Sequence, residues 1–504
     1  MPARMFQSYA LAVLLAGVAG LVALVLLRTG GTLVYTLDDP YIHLALAEEL
    51  LRGNYGINPA EHASPSSSML YAPLLAPLVA VGIGEWAPLV LALAGQGGAV
   101  WLMAGALSPA VAGRPVSALV AAPLLVQAVN GFALPLTGME HPLHVAASVA
   151  ILVGLAQSAR DGRAPGWLFA ALLLAPAIRF EGYALALAAT LALAAMGRWR
   201  MALAALVGLL ALTAGYVGTM ISLDLPLLPS SVMVKSQTAA AAMQADGQGA
   251  LTALAVNAIL GLRTLQGMLL AALAALLALL ALVRPNRARN AVVWPALAAI
   301  VAHLLVGRFG WFGRYEVYAV ALAITAYLLQ LRRPAVAPLA LLAVFGWSYA
   351  ATLSQTPAAA QSIDEQQHQM HRFSAQFFPE PVAVNDLGWV AWRNDTPVLD
   401  LWGLGSEQAR RLTAEQGRTV ETVRSLTAGR ATYAMIYDIA FEGAIPPEWC
   451  RVATLTTSRV IAASDTVSFW LIDRPREGDL RAALDRFAPT LPPGATLRQH
   501  PCES

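Results

Sequence analysis

"LVYTLDDPYIHLALAEELLRGNYG" (residues 33–56) decides how this chain folds. It follows "ALAVLLAGVAGLVALVLLR" (10–28), an apolar run of about 20 residues, the length of one bilayer crossing. Two adjacent carboxylates, Asp38 and Asp39, therefore stand where a membrane helix leaves the bilayer. Charges at membrane depth cost about 2.5–3.5 kcal/mol each on insertion scales and are kept for function. Pro40 opens a helix whose apolar stripe runs through Ile42, Leu46 and Leu50. His43, Glu48, Glu49 and Arg52 lie elsewhere on it, and Gly53 and Gly56 close it. Such a helix is expected along the membrane surface. An aspartate before proline is a good N-cap, which accounts for one carboxylate. Two are more than a cap requires, and the pair is read as catalytic or ligand-binding.

Working outward, the 504-residue chain is 58% hydrophobic and only 12% charged. The charged share is about half the ~25% usual for soluble domains, and mean hydropathy is +0.60. The fold class expected is a mainly α polytopic membrane protein. The net charge of +2, with basic residues scattered between apolar runs, gives no case for nucleic acid as a partner. No G-x-G-x-x-G or Walker A pattern supports nucleotide use. The N-terminal run is signal-like, but it is long and lacks an A-x-A site, so it reads as an uncleaved first helix.

Apolar segments fall near 8–28, 69–84, 86–107, 117–135, 139–157, 166–178, 182–196, 201–223, 251–283, 291–307, 315–331 and 335–353. Arginines set the orientation. Arg160 and Arg163, Arg198 and Arg200, Arg284, Arg287 and Arg289, and Arg332 and Arg333 mark cytoplasmic turns. The Asp38–Asp39 loop, "RFEG" (179–182), the loop 224–250 and "GRFGWFGRYE" (307–316) then lie outside. The segment 69–84 carries Pro73 and Pro77 and need not cross fully, so about 11 crossings place the C-terminal part outside as well.

The division expected is a membrane domain at 1–354, with its first outer loop at 29–68, and an extracytoplasmic α/β domain at 355–504. In the latter, "PVAVND", "TPVLDLWG", "YAMIYD" and "TVSFWLID" read as strands, and "SEQARRLTAEQGRTVETVRSL" and "GDLRAALDRFA" as helical. The two cysteines, Cys450 and Cys502, are either a disulfide, as an extracytoplasmic site would allow, or two thiols. No metal-ligand spacing occurs. The neighbouring carboxylates leave a divalent cation possible, with no D-x-D spacing that demands one.

Other candidates share the outer side. "PLTGMEHPLHVAA" sets Glu140, His141 and His144 at the entry of a helix, where the helix dipole favours an acid. "AIRFEGYAL" sets Arg179 and Glu181 in a hairpin turn, able to pair. Lys235, in "LPSSVMVK", is the single lysine of the chain, and a compact ammonium suits phosphate. "WFGRYEVYAV" offers Arg314, which can grip phosphate, beside Tyr315. Carboxylates together with Lys and Arg at a bilayer surface suggest a lipid-linked phosphate donor and an acceptor to be deprotonated.

The order of these motifs resembles the GT-C superfamily of polytopic glycosyltransferases, and within it the mycobacterial terminal arabinofuranosyltransferase type. The resemblance runs through "LDDPYIHLALAEELLRGNYGINP", "SPSSSMLYAPLLAP", "TGMEHPLHV", "IRFEGYAL", "LPSSVMVK", "GRYEVYAV", "VAVNDLGWVAW" and "PVLDLWGLGS". It departs at Phe180, where the family often has Pro, and at Ser230–Ser231, where it has Asn-Thr. The resemblance implies a catalytic base at Asp38 or Asp39, with Asp38 favoured slightly. Lys235, Arg314 and Arg179 would take the donor phosphate, and His43, Glu140, His141, Glu181 and Tyr315 would line the substrate site. It implies transfer of a sugar, arabinofuranose first and mannose or another hexose as the alternative, from a polyprenyl phosphate to an envelope glycan, lipid or protein. The location implied is the cytoplasmic membrane, with the site on its outer face. A hydroxyl nucleophile needs a base, and a polyprenyl phosphate leaving group needs positive charge rather than a proton. The competing reading from another class is a lipid-linked sugar flippase or transporter, whose broken helices 166–196 would match.

Overall fold

The computed structural model describes residues 1–59, 61–234, 250–331 and 336–502. Most of the chain to residue 377 is helical. Among the described residues, seven helices are long and apolar enough to cross a membrane by length and composition. They are Ala3–Arg28, Gly84–Val111, His141–Asp161, Trp199–Ser222, Leu265–Val283, Arg287–Val306 and Ala337–Phe377. Shorter apolar helices, among them Tyr71–Ala80, Trp167–Ile178 and Gly182–Ala195, pack between them. Pro40, Pro88, Pro115, Pro142 and Pro338 all sit in the first turn of their helices, where a missing N–H costs nothing.

Two expectations change. The apolar segment 251–283 is two helices, Ala250–Leu262 and Leu265–Val283, because Thr264 leaves the helical path and its Oγ1 accepts from the Gly267 N–H at 3.0 Å. A side-chain cap restarts a helix where hydropathy alone sees none. The helix after Asp38, Asp39–Leu51, is packed all round within the protein rather than open along one apolar stripe. Residues from Pro40 to Ala47 are buried on every side of it. It packs against Tyr71–Ala80 on one side and the short helix Gly388–Ala391 on the other. The turns assigned to Arg332 and Arg333 lie outside the described residues.

The last apolar segment runs on as one helical stretch to Phe377, passing through π turns at Asp364–His368 and Phe373–Phe377. It leads into a six-stranded mixed sheet in the order β2-β1-β3-β5-β4-β6. The strands are β1 (Val382–Val384), β2 (Val398–Asp400), β3 (Tyr433–Ile436), β4 (Cys450–Thr456), β5 (Thr466–Leu471) and β6 (Thr496–Gln499). β1 pairs in parallel with β2 and β3, and the remaining pairs are antiparallel. The two-residue side-chain period splits the core. Val382, Val384, Tyr433, Met435, Phe469 and Leu471 face Leu480, Leu484 and Phe487 of the Glu477–Phe487 helix. Ala383, Ala434 and Ile436 face Ala409, Val423 and Leu426 of two helices, Glu407–Gln416 and Val420–Thr427. Cys450 and Cys502 form a disulfide joining the start of β4 to the chain just past β6.

The first loop is bolted to this sheet domain. The Asn58 amide exchanges two hydrogen bonds with Val398 (2.9 and 3.0 Å), covering the edge of β2. Glu61 accepts from Ser406 Oγ at 2.8 Å and from the Gln408 N–H at 3.3 Å.

Candidate functional site

Asp38 occupies the N-cap position of Asp39–Leu51 yet makes no side-chain hydrogen bond to that helix. Its Oδ2 accepts from the Gly388 N–H and its Oδ1 from the Trp389 N–H, both at 2.8 Å. The N-terminus of Gly388–Ala391 is thus satisfied by a carboxylate from the other end of the chain. The approach demands glycine, since a Cβ at 388 would sit 2.2 Å from the Asp38 carbonyl oxygen. The Trp389 indole lies between two rings, 3.8 Å from Tyr41 and 4.3 Å from His368, nearly parallel to both. Burial, then the nearby Asp386 carboxylate, raise the Asp38 carboxyl well above its usual range, against the pull of the two N–H groups.

Asp39 turns the other way. Its Oδ2 pairs with Arg314 Nη2 at 2.5 Å, and that nitrogen also donates to the Tyr315 hydroxyl at 2.9 Å. The Nε and Nη1 of Arg314 are buried and have no hydrogen-bond partner among the described residues. Burial opposes the charge on Arg314, but Tyr315 and Asp39 outweigh it and hold the pKa above the ordinary guanidinium value.

Asp38, Asp39, Arg308, Arg314, Tyr315, Gln367 and Asp386 line one cavity of about 400 Å³, with Trp311 and Trp402 also on its wall. Asp386 was not singled out by sequence reasoning. Its Oδ2 accepts from Tyr437 Oη at 2.5 Å and from Gln367 Nε2 at 2.9 Å. Burial is the largest influence raising its pKa.

Behind Tyr315 lies a second polar layer. Arg179 is 5.9 Å from the Tyr315 ring centre, and His141 meets that ring edge-on at 5.7 Å. Arg179 leaves its helix in extended conformation. It sends Nη1 to Glu140 at 2.5 Å and Nη2 to Glu181 at 2.7 Å, the ion pair its turn suggested. Burial would raise Glu181, but Arg179 overrides it and holds the carboxyl down to about 2. The other Glu140 oxygen is 3.9 Å from His43 Nε2. Burial, only partly opposed by Glu140, lowers the His43 pKa.

A larger cleft of about 600 Å³ adjoins this layer, walled mainly by apolar groups including Phe180, Ala184, Val232 and Leu254. Arg179, Glu181, Arg308 and Tyr315 stand at its polar part, and Arg308 and Tyr315 line both cavities. Asp38, Asp39, His43, Glu140, His141, Arg179, Glu181, Arg314 and Tyr315 therefore form one connected set. Lys235 lies outside the described residues. Among the described residues no group of three or more His, Cys, Asp or Glu side chains is placed to hold a metal ion. The two adjacent aspartates point to different partners, Asp38 to the Gly388 and Trp389 amides and Asp39 to Arg314.

Residues 360–470 match a family described as "Domain of unknown function" (DUF8728). No curated protein sequence matches the chain. Among solved structures the chain is similar to the archaeal oligosaccharyltransferase AglB from Archaeoglobus fulgidus, determined in complex with an inhibitory peptide and a dolichol-phosphate. The identity is 10%, covering 92% of this chain and 74% of that one, with a TM-score of 0.46.

Proposed function

We propose that the protein is a membrane glycosyltransferase of the GT-C type, which takes a sugar from a polyprenyl-phosphate donor. The observation that carries this reading is Arg314: a guanidinium on the wall of the cavity that also holds Asp38, tied to Asp39 and Tyr315 through Nη2, with no hydrogen-bond partner for Nε or Nη1 among the described residues. A planar, permanently charged cation at that wall suits a phosphate. The apolar cleft sharing Tyr315 and Arg308 suits the polyprenyl tail.

Asp38 is the base of this reading. Burial and Asp386 raise its pKa, which makes it the more basic for a carboxylate, whereas Asp39 is committed to the ion pair with Arg314. The acceptor oxygen attacks the anomeric carbon, and its proton passes to Asp38. A new C–O bond forms as the C1–O bond to phosphate breaks, and the electron pair leaves on the polyprenyl phosphate, whose charge Arg314 balances. The outcome is inversion. Asp39 positions Arg314. Arg179, His43, Glu140, His141 and Glu181 shape the polar layer behind Tyr315, and Lys235 is assigned to the same phosphate. No step is routed through a metal.

The finer assignments are proposals of the same kind. Arabinofuranose as the sugar rests on the sequence resemblance, with mannose or another hexose second. The site and the sheet domain, divided from the membrane domain at 354/355, face outward across the cytoplasmic membrane after about 11 crossings, an orientation that the Cys450–Cys502 disulfide fits. The test is release of polyprenyl phosphate, read by mass spectrometry. The purified protein meets arabinofuranosyl and mannosyl donors with crude envelope glycan as acceptor. Turnover of one donor that depends on Asp38 supports the reading. Donor binding without turnover of either sugar favours the flippase instead.

A further inference from the structure

The cavity wall carries two indoles with no part in the chemistry just described, Trp311 and Trp402. They come from opposite parts of the chain, and each is held in place by its own machinery.

Trp402 is half-buried and clamped from behind. The Arg418 guanidinium lies 4.1 Å from its ring centre and 5.1 Å from that of Phe441, and Arg418 Nη1 donates to the Ala440 carbonyl at 3.2 Å. The backbone is fixed too, since the Trp402 N–H donates to Asp400 at 2.8 Å. An indole backed by a guanidinium is a rigid platform.

Trp311 stands on a loop that works against backbone preference. Gly310, Trp311, Phe312 and Gly313 all have positive φ, at 94°, 48°, 65° and 65°. Two bulky residues in that region are rare, and strain of this kind persists only where the surroundings impose it. Here the Asn130 side chain donates to the Phe312 carbonyl at 2.7 Å, and Glu316 accepts from the Gly310 N–H at 3.0 Å. The result buries Phe312 and leaves Trp311 half exposed at the cavity.

We infer that Trp402 and Trp311 form a sugar-ring subsite beside Asp38, so that the acceptor is a saccharide rather than a lipid alcohol or a peptide. This rests on the transferase reading above for its purpose, but not for its geometry. The C–H face of a pyranose or furanose ring is apolar and its rim is hydroxylated. A flat indole beside carboxylates matches both. A ring on Trp402 would keep a terminal hydroxyl within the same cavity as Asp38.

The experiment uses the full chain in lipid nanodiscs and short arabinofuranosyl and mannosyl oligosaccharides as probes. Binding is followed by saturation-transfer NMR and indole fluorescence, and donor binding is measured alongside. The wild type is expected to bind an oligosaccharide without donor. Trp402→Ala and Trp311→Ala are each expected to weaken that binding about tenfold with donor affinity unchanged, and Trp402→Phe to retain most of it. Folding of the variants is checked by the domain's thermal transition. Absence of saccharide binding by folded wild type, or binding indifferent to both alanine variants, overturns the inference. So does transfer to a peptide or lipid alcohol that ignores Trp402, although the transferase reading then survives. Saccharide binding that needs both tryptophans, with no transfer from any donor, keeps the subsite and removes the transferase.

Discussion

Asp38 and Gly388 are 350 residues apart and joined by one 2.8 Å hydrogen bond, in which a carboxylate at the start of the Asp39–Leu51 helix receives the first N–H of the Gly388–Ala391 helix. With the matching bond from Trp389, the proposed base is aimed by a short helix set between β1 and β2.

Asp38→Asn keeps the size of the side chain but loses its basicity, and its amide nitrogen must face one of the two N–H groups. Polyprenyl phosphate release is expected to fall about 10²–10⁴-fold. Asp39→Asn is expected to act mainly on donor KM, because it releases Arg314 rather than removing the base. Initial rates across a donor series separate the two. Equal losses in kcat from both variants would contradict the division of roles.

Arg314→Lys retains the charge and forfeits the planar fork. Donor KM is expected to rise about 10–100-fold with little change in the thermal transition. Steady-state kinetics checks this, and an unchanged KM would remove Arg314 from phosphate binding.

Gly388→Ala forces a Cβ to within 2.5 Å of Asp38 Oδ2, so the capping pair must open. Activity is expected to drop with the base left in place. Trp389→Ala, which empties the slot between Tyr41 and His368, is expected to cost about 3–5 kcal/mol in docking of the sheet domain. Limited proteolysis between the two parts of the chain would report it as faster cleavage.

The rate should rise with pH through an apparent pKa above the ordinary carboxylate range, because the base must be ionised while burial and Asp386 disfavour its charge. Asp386→Asn removes the like charge and is expected to shift this acidic limb to lower pH. Stability runs the opposite way. A carboxyl raised in the folded state adds stability in acid and loses it as pH climbs from the reference value of 3.8 through the folded pKa. The pH–rate profile of the variant against wild type is the measurement, and coincident limbs would exclude the coupling.

What local patterning could carry was legible. Pro-led first turns, the "RFEG" hairpin and the short apolar run in "YAMIYD" each depend on neighbours a few residues apart. β4 and β6 were missed because "CRVATLT" and "TLRQ" mix polar and apolar residues, and β6 is a half-exposed edge strand. The convergence of Asp39 on Arg314 and of Arg179 on Glu140 is foreshadowed by residue type and by position at helix ends. The roles of Gly388, Trp389 and Asp386 are not, since "VNDLGWVAW" reads locally as the end of a strand and acquires meaning only once Asp38 is beside it.

The Asp38–Gly388 bond also sets an order of events in biogenesis. Residue 388 is made 350 residues after residue 38, so a chain still being inserted carries its carboxylate without the amides that aim it. Membrane helices assembled around a bound lipid donor would be inert until the sheet domain folds onto them. A chain halted before β1 is accordingly expected to insert, bind donor and spare it, and docking of the Gly388–Ala391 helix becomes the step that arms the protein.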